Sequence, residues 1–131
     1  MRQALIDLVW KRASFTCEYC RLPQTLSLLT FEIDHIVARK HGGPTEESDL
    51  ALACYNSYKG PNVAGVVPDT GLVVRLYHPR RDPWEDHFVW RGVELLARTD
   101  IGLATIAVLN INHPEFLAMR QAFKEEGSFP Y

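Results

Sequence analysis

The sequence predicts an α+β fold: an N-terminal helix, a central strand–loop–strand–helix unit, and a C-terminal β-hairpin followed by two helices. Three observations predict it. Apolar and acidic residues alternate in Phe31-Glu32-Ile33, and Leu50-Ala51-Leu52-Ala53-Cys54 is an apolar run of strand length, with a glycine turn between the two. Leu5, Leu8 and Val9 recur at helical spacing near the N-terminus. Arg91-Gly92 sits between two β-type runs, His87-Phe88-Val89-Trp90 and Val93-Glu94-Leu95-Leu96, as a hairpin turn would.

A chain of 131 residues suits one domain, 1–131, with a core motif at about 17–60 and an accessory tail at about 61–131. Hydrophobic residues make up 47% and charged residues 23%, the balance of a water-soluble protein. No apolar run has the length of a membrane span and no signal-peptide pattern is present, so the expected location is cytoplasmic, away from membranes. Three cysteines, two of them as Cys17-x-x-Cys20, point to metal or redox chemistry rather than a disulfide scaffold.

Net charge is -2, which by itself does not indicate a nucleic-acid binder. Its distribution is uneven. Residues 1–81 carry ten Lys/Arg against eight Asp/Glu, and residues 82–131 carry four against eight. Lys11-Arg12, Arg21, Arg39-Lys40, Lys59 and Arg80-Arg81 stand where phosphate contacts are expected, with weak, salt-sensitive affinity.

Taken in order, Met1 to Ala13 reads as a helix packed on the core, with Lys11 and Arg12 suiting its C-terminal dipole. Cys17-Glu18-Tyr19-Cys20 reads as a tight knuckle. It either grips zinc with Cys54 as a third thiolate, or is an unmetallated remnant, or is a redox pair. With at most three thiolates, packing of Phe15, Tyr19 and the first helix is expected to hold the knuckle. Arg21 to Thr30 is a loop, and His41 beside Gly42-Gly43 is a solvated loop residue. Asn56-Ser57-Tyr58-Lys59 begins one or two helical turns that Gly60-Pro61 stops. A turn at Asp69-Thr70-Gly71 precedes the β-rich run Leu72 to Tyr77. Trp84, Phe88 and Trp90 pack a core in preference to stacking on bases, and His78 and His87 are structural. Thr99 caps a helix from Asp100 to Leu109. Asn112 caps a last helix to about Glu126, with Glu115 completing a capping box.

The residue types from Phe31 to Gly60 suit metal-assisted phosphodiester cleavage. A divalent cation on Asp34 would neutralise a scissile phosphate, and histidine, here His35, is the side-chain type whose unperturbed pKa lets it take a proton from water near neutral pH. Neighbours on a strand face opposite ways, so both serve one phosphate only if the strand ends or twists there.

The pattern C-E-Y-C, then F-x-I-D-H-I-x-A-R-K-H-G-G, then D-L-A-L-A-C, then N-x-x-K-G resembles the HNH endonuclease family, a ββα-metal (His-Me finger) fold. The motif covers Cys17 to Gly60, about a third of the chain. The tail also resembles that of one branch of small HNH proteins. The resemblance implies a DNA-cleaving enzyme using one divalent cation, Mg or Mn. It makes His35 the general base and Asp34 and Asn56 the metal ligands. The family's middle Asn falls at Asp49, and Arg39, Lys40 and Lys59 are its candidate phosphate contacts. Two departures are visible. Asp49 offers acceptors but no amide donor. The second C-x-x-C of zinc-bearing members is reduced to Cys54, with only Tyr55 before Asn56. A catalytically weak or inactive nucleic-acid-binding module of the same fold is the alternative, and a zinc-ribbon interaction domain a more distant one.

Overall fold

The computed structural model describes residues 1–54 and 58–131, which form two compact units. The first is Met1–Val63 with His78–Asp82, and the second is Ala64–Tyr77 with Pro83–Tyr131. The fold is α+β, as the sequence predicts.

The first unit opens with helix α1, Gln3–Arg12. Val9 is its buried residue, while Leu8, expected on the same inward face, is 38% exposed. The buried stripe is therefore narrower than the spacing implied. The last residue of α1 docks the helix: Arg12 donates to the carbonyls of Glu47 (2.9 Å) and Leu50 (2.7 Å). The chain then reverses through Ser14 and Phe15, both left-handed, with φ of 53° and 56°. Phe15 stays half exposed with its ring against Trp10, so Tyr19, which is buried, contributes more of the knuckle packing than Phe15 does.

Strands β1, Glu32–His35, and β2, Leu50–Ala53, pair antiparallel, with Asp34 opposite Ala51 and His35 opposite Leu50. The first strand begins one residue later than expected and ends on the Asp-His pair itself. The loop between the strands is closed by Asp49. Its backbone carbonyl accepts from Ile36 N (2.7 Å) and its side-chain Oδ1 from Val37 N (2.8 Å). Gly42 takes the left-handed conformation at φ 90°, as the glycine turn requires. Gly43 is needed for a different reason: a Cβ there would lie 1.6 Å from the Val37 carbonyl oxygen. The knuckle lies along β2. Glu18 N donates to Leu52 O (2.9 Å), and the Glu18 carboxylate accepts from Leu52 N (2.8 Å). Of the helical turns expected from Asn56 onward, residues 55–57 lie outside the described residues, and residues 58–61 form a turn.

The second unit contains hairpin β3–β4, Ala64–Val66 with Val73–Arg75, and hairpin β5–β6, Phe88–Arg91 with Glu94–Ala97. A four-residue helix α2, Trp84–His87, leads into the second hairpin. Helix α3, Asp100–Leu109, is capped by Thr99, whose Oγ1 accepts from Gly102 N (3.1 Å). Helix α4, Pro114–Glu125, is not capped by Asn112 as expected. His113 caps it, Nδ1 accepting from Glu115 N (3.1 Å). Asn112 instead clamps β6, accepting from Leu95 N (3.0 Å) and donating to Leu95 O (2.7 Å). Trp84 and Phe88 are buried core residues, and the Trp90 ring meets Phe129 edge-on, which agrees with the packing role expected of these aromatics. No helix among the described residues is long and apolar enough to cross a membrane.

Candidate active site

The antiparallel pairing brings the Asp-His pair to the end of β1, where strand geometry gives way to the Gly42-Gly43 loop. The two side chains have separate surroundings. Asp34 turns inward. Its Oδ2 accepts from the Tyr19 hydroxyl at 2.7 Å and lies 3.1 Å from Lys59 Nζ, and Oδ1 lies 3.2 Å from the same ammonium. Burial pushes the Asp34 carboxyl above its ordinary range. The Lys59 charge, and to a lesser degree the Tyr19 hydroxyl, pulls the other way.

His35 has a different partner. Its Nε2 shares a hydrogen bond with Thr45 Oγ1 at 2.9 Å. If that nitrogen carries the proton, Nδ1 is the basic nitrogen. Thr45 lies in the loop after Pro44, ten residues along the chain, and Asp49 helps to close that loop. Asp49 itself is 5% exposed. Among the described residues no hydrogen bond links it to the His35 ring, and its Oδ2 is buried without a partner. It holds the loop that carries Thr45.

The expected cationic residues divide. Arg39 and Lys40 sit exposed on a 3-10 turn, Arg39–His41, a few residues after the Asp-His strand. His41 on the same turn is exposed, as expected of a loop residue. Lys59, expected to hold a phosphate, is buried instead, with its ammonium turned toward Asp34 and the carbonyls of His35 (3.4 Å) and Ile36 (3.3 Å). The reason is electrostatic: a mostly buried carboxylate attracts the nearest cation able to reach it. Arg12 and Arg80 are likewise held by the protein, Arg12 by backbone carbonyls and Arg80 by Glu18.

The three cysteines converge. The sulfurs of Cys17, Cys20 and Cys54 lie within 4.8 Å of one another, with Cys20 and Cys54 3.6 Å apart. Among the described residues this is the one group of three His, Cys or carboxylate donors so gathered. All three are free thiols. Burial alone would raise the Cys17 thiol, but hydrogen bonds from Cys20 and Cys54 outweigh it and bring Cys17 down. Cys20 and Cys54 are raised, first by their hydrogen bonds to Cys17.

Asn56, the expected second ligand, lies outside the described residues. Sequence reasoning missed Thr45 and treated Tyr19 as packing alone. The one available signal was a hydroxyl inside the knuckle, two residues from Cys17. The chain matches no curated protein and no solved structure. The HNH endonuclease family model matches residues 17–56, less than half of the chain and the part that contains the thiols, Asp34, His35, Thr45 and Asp49. Over this stretch the chain is similar to the HNH endonuclease family.

Proposed function

We propose that the protein is a metal-dependent endonuclease that hydrolyses DNA phosphodiester bonds, with His35 as general base. The observation that carries this reading is the placement of Asp34 and His35 at the end of one strand, each with its own orienting partner. The donor set fits a hard divalent cation. Magnesium uses one or two carboxylates, substrate phosphate and several waters. Asp34 would supply the carboxylate, and Asn56, by the family resemblance, a second ligand. Bound there, the cation would neutralise charge on the phosphate and the departing oxygen.

The chain's own residues do the rest. Thr45 orients the imidazole, and His35 Nδ1 takes the proton of the attacking water. Asp49 keeps the Thr45 loop closed onto β1. Arg39 and Lys40 bind phosphates flanking the scissile one. Lys59 supports the negative charge of Asp34 rather than contacting DNA.

The thiol cluster fits a soft metal by donor type and spread, but three thiolates are one short of the usual structural zinc set. The purified protein should therefore carry clearly less than one tightly held zinc per chain. Elemental analysis after dialysis checks this, and a full zinc equivalent, with unfolding on chelation, would contradict it.

The second reading is a nucleic-acid-binding module that no longer cleaves. The observation that favours it is the Lys59 ammonium lying against both Asp34 oxygens. Incubating supercoiled plasmid with the protein and Mg²⁺ or Mn²⁺, with and without EDTA, separates the two. The nuclease gives EDTA-sensitive nicked or linear DNA. The module shifts DNA on a gel and leaves it uncut under every metal condition.

A further inference from the structure

The variable pair of the C-E-Y-C knuckle fastens both strands of the hairpin. Glu18 bonds Leu52 of β2 through its backbone N–H and its carboxylate. Tyr19 bonds Asp34 of β1 through its hydroxyl at 2.7 Å, and its side chain is buried. A hydroxyl-to-carboxylate distance this short marks a charge-assisted hydrogen bond.

We propose that Tyr19 is a positioning residue for the metal ligand Asp34. The inference rests on the reading of Asp34 as a ligand, and it adds the residue that sets how that ligand is presented. Lys59 Nζ lies 3.1 and 3.2 Å from the two carboxylate oxygens, so on its own it would draw both of them to itself. Tyr19 counters this by holding Oδ2 in place. The plane of the carboxylate is then fixed, and Oδ1, with only the longer Lys59 contact among the described residues, is the oxygen left to face a cation. The buried ring has little freedom to follow a rotating carboxylate. Partners of this kind, one bond removed from a metal, commonly matter to metal affinity by about 10–100-fold.

The test is calorimetric titration of Mn²⁺ into the full chain and into Tyr19→Phe and Asp34→Asn. Near-UV circular dichroism confirms the fold of each. Tyr19→Phe keeps the ring and removes only the hydroxyl. It should bind Mn²⁺ about 10–100-fold more weakly than the parent, a change that a purely structural role would not produce in a folded variant. Asp34→Asn should lose binding at this site. Parent-like affinity in Tyr19→Phe, with binding lost in Asp34→Asn, overturns the positioning role and leaves the ligand assignment standing. Parent-like affinity in Asp34→Asn overturns the ligand assignment itself. Should Tyr19→Phe fail to fold, the parent carrying 3-fluorotyrosine at position 19 decides by ¹⁹F NMR. The Tyr19 resonance should move on Mg²⁺ addition and saturate with binding, and a resonance that stays fixed through saturation overturns the proposal.

Discussion

Arg120 and Lys59 are buried cations, one in each unit, and they face different partners. Arg120, at 2% exposure, donates to the backbone carbonyls of Val93 and Ile111 and lies over the Trp90 ring. Every one of these contacts ties elements of the second unit together. Lys59, at 6% exposure, also meets two carbonyls, but its charge is matched by the Asp34 carboxylate. Asp34 keeps 20% of its side chain open. A buried cation satisfied by backbone fastens a fold. A buried cation opposite a partly open acid at a strand end leaves a group that a second cation can reach. On the proposed reading, chemistry belongs to the first unit and the second unit holds only its own fold together.

Substitutions on each side test that division. Asp34→Asn keeps an acceptor for Tyr19 and Lys59 and removes the charge. It should abolish metal-dependent cleavage, and because Lys59 loses its counter-charge the unfolding midpoint should also fall, so cleavage is measured at a temperature where the variant is folded. Asp34→Ala is a poorer probe, because it removes the acceptors for Tyr19 and Lys59 as well as the charge, and breaking such a pair costs about 3–5 kcal/mol. Cleavage by Asp34→Asn at the parental rate would break the comparison at its strongest point.

Arg120→Ala should do the reverse. Each carbonyl left unpaired costs about 1–3 kcal/mol, which denaturant unfolding will show. Cleavage per folded molecule should be unchanged, and a large loss of rate at a temperature where the variant is folded would place the second unit in the chemistry.

Smaller effects sharpen the picture within the first unit. Thr45→Val removes a hydroxyl from the His35 ring at nearly constant shape. A neutral hydrogen bond is worth about 0.5–1.5 kcal/mol, so the rate should fall roughly 2–10-fold. An unchanged rate would mean that Thr45 does not orient the base. Asp49→Asn keeps the bond to Val37 and replaces the buried, unpartnered Oδ2 with a donor. The Val37 carbonyl oxygen borders the same space beside Gly43 and can accept from it. Stability should rise by about 1 kcal/mol, read as a higher denaturant midpoint at unchanged slope. A lower midpoint would show that the carboxylate is matched by a group outside this loop.

Much of this arrangement was legible in the sequence because it is local. Alternation at Phe31-Glu32-Ile33 marks β1, Thr99 marks the start of α3, and Arg91-Gly92 marks the β5–β6 turn, each through neighbours only a few residues away. The helix cap at His113 was missed because Asn112 is the better cap by residue type, and its engagement with Leu95 is a long-range contact. The candidate site divides the same way. The adjacency of Asp34 and His35 is covalent and visible at once. That Lys59 turns inward, that Thr45 meets the His35 ring and that Tyr19 meets Asp34 are tertiary facts spanning 24, 10 and 15 residues. An exposed phosphate-binding lysine and a buried counter-cation look identical in a sequence. What separates them is the burial of the acid opposite.

The central claim is that His35 is the general base of a DNA-cleaving site in the first unit. Its most direct test is single-turnover cleavage of plasmid DNA in Mg²⁺ by His35→Ala and by the parent, both purified free of host nucleases, with DNA and Mn²⁺ binding measured alongside. The account predicts that the variant binds DNA and metal much as the parent does and cleaves about 10²–10⁴-fold more slowly. A variant that cleaves as fast as the parent would contradict it.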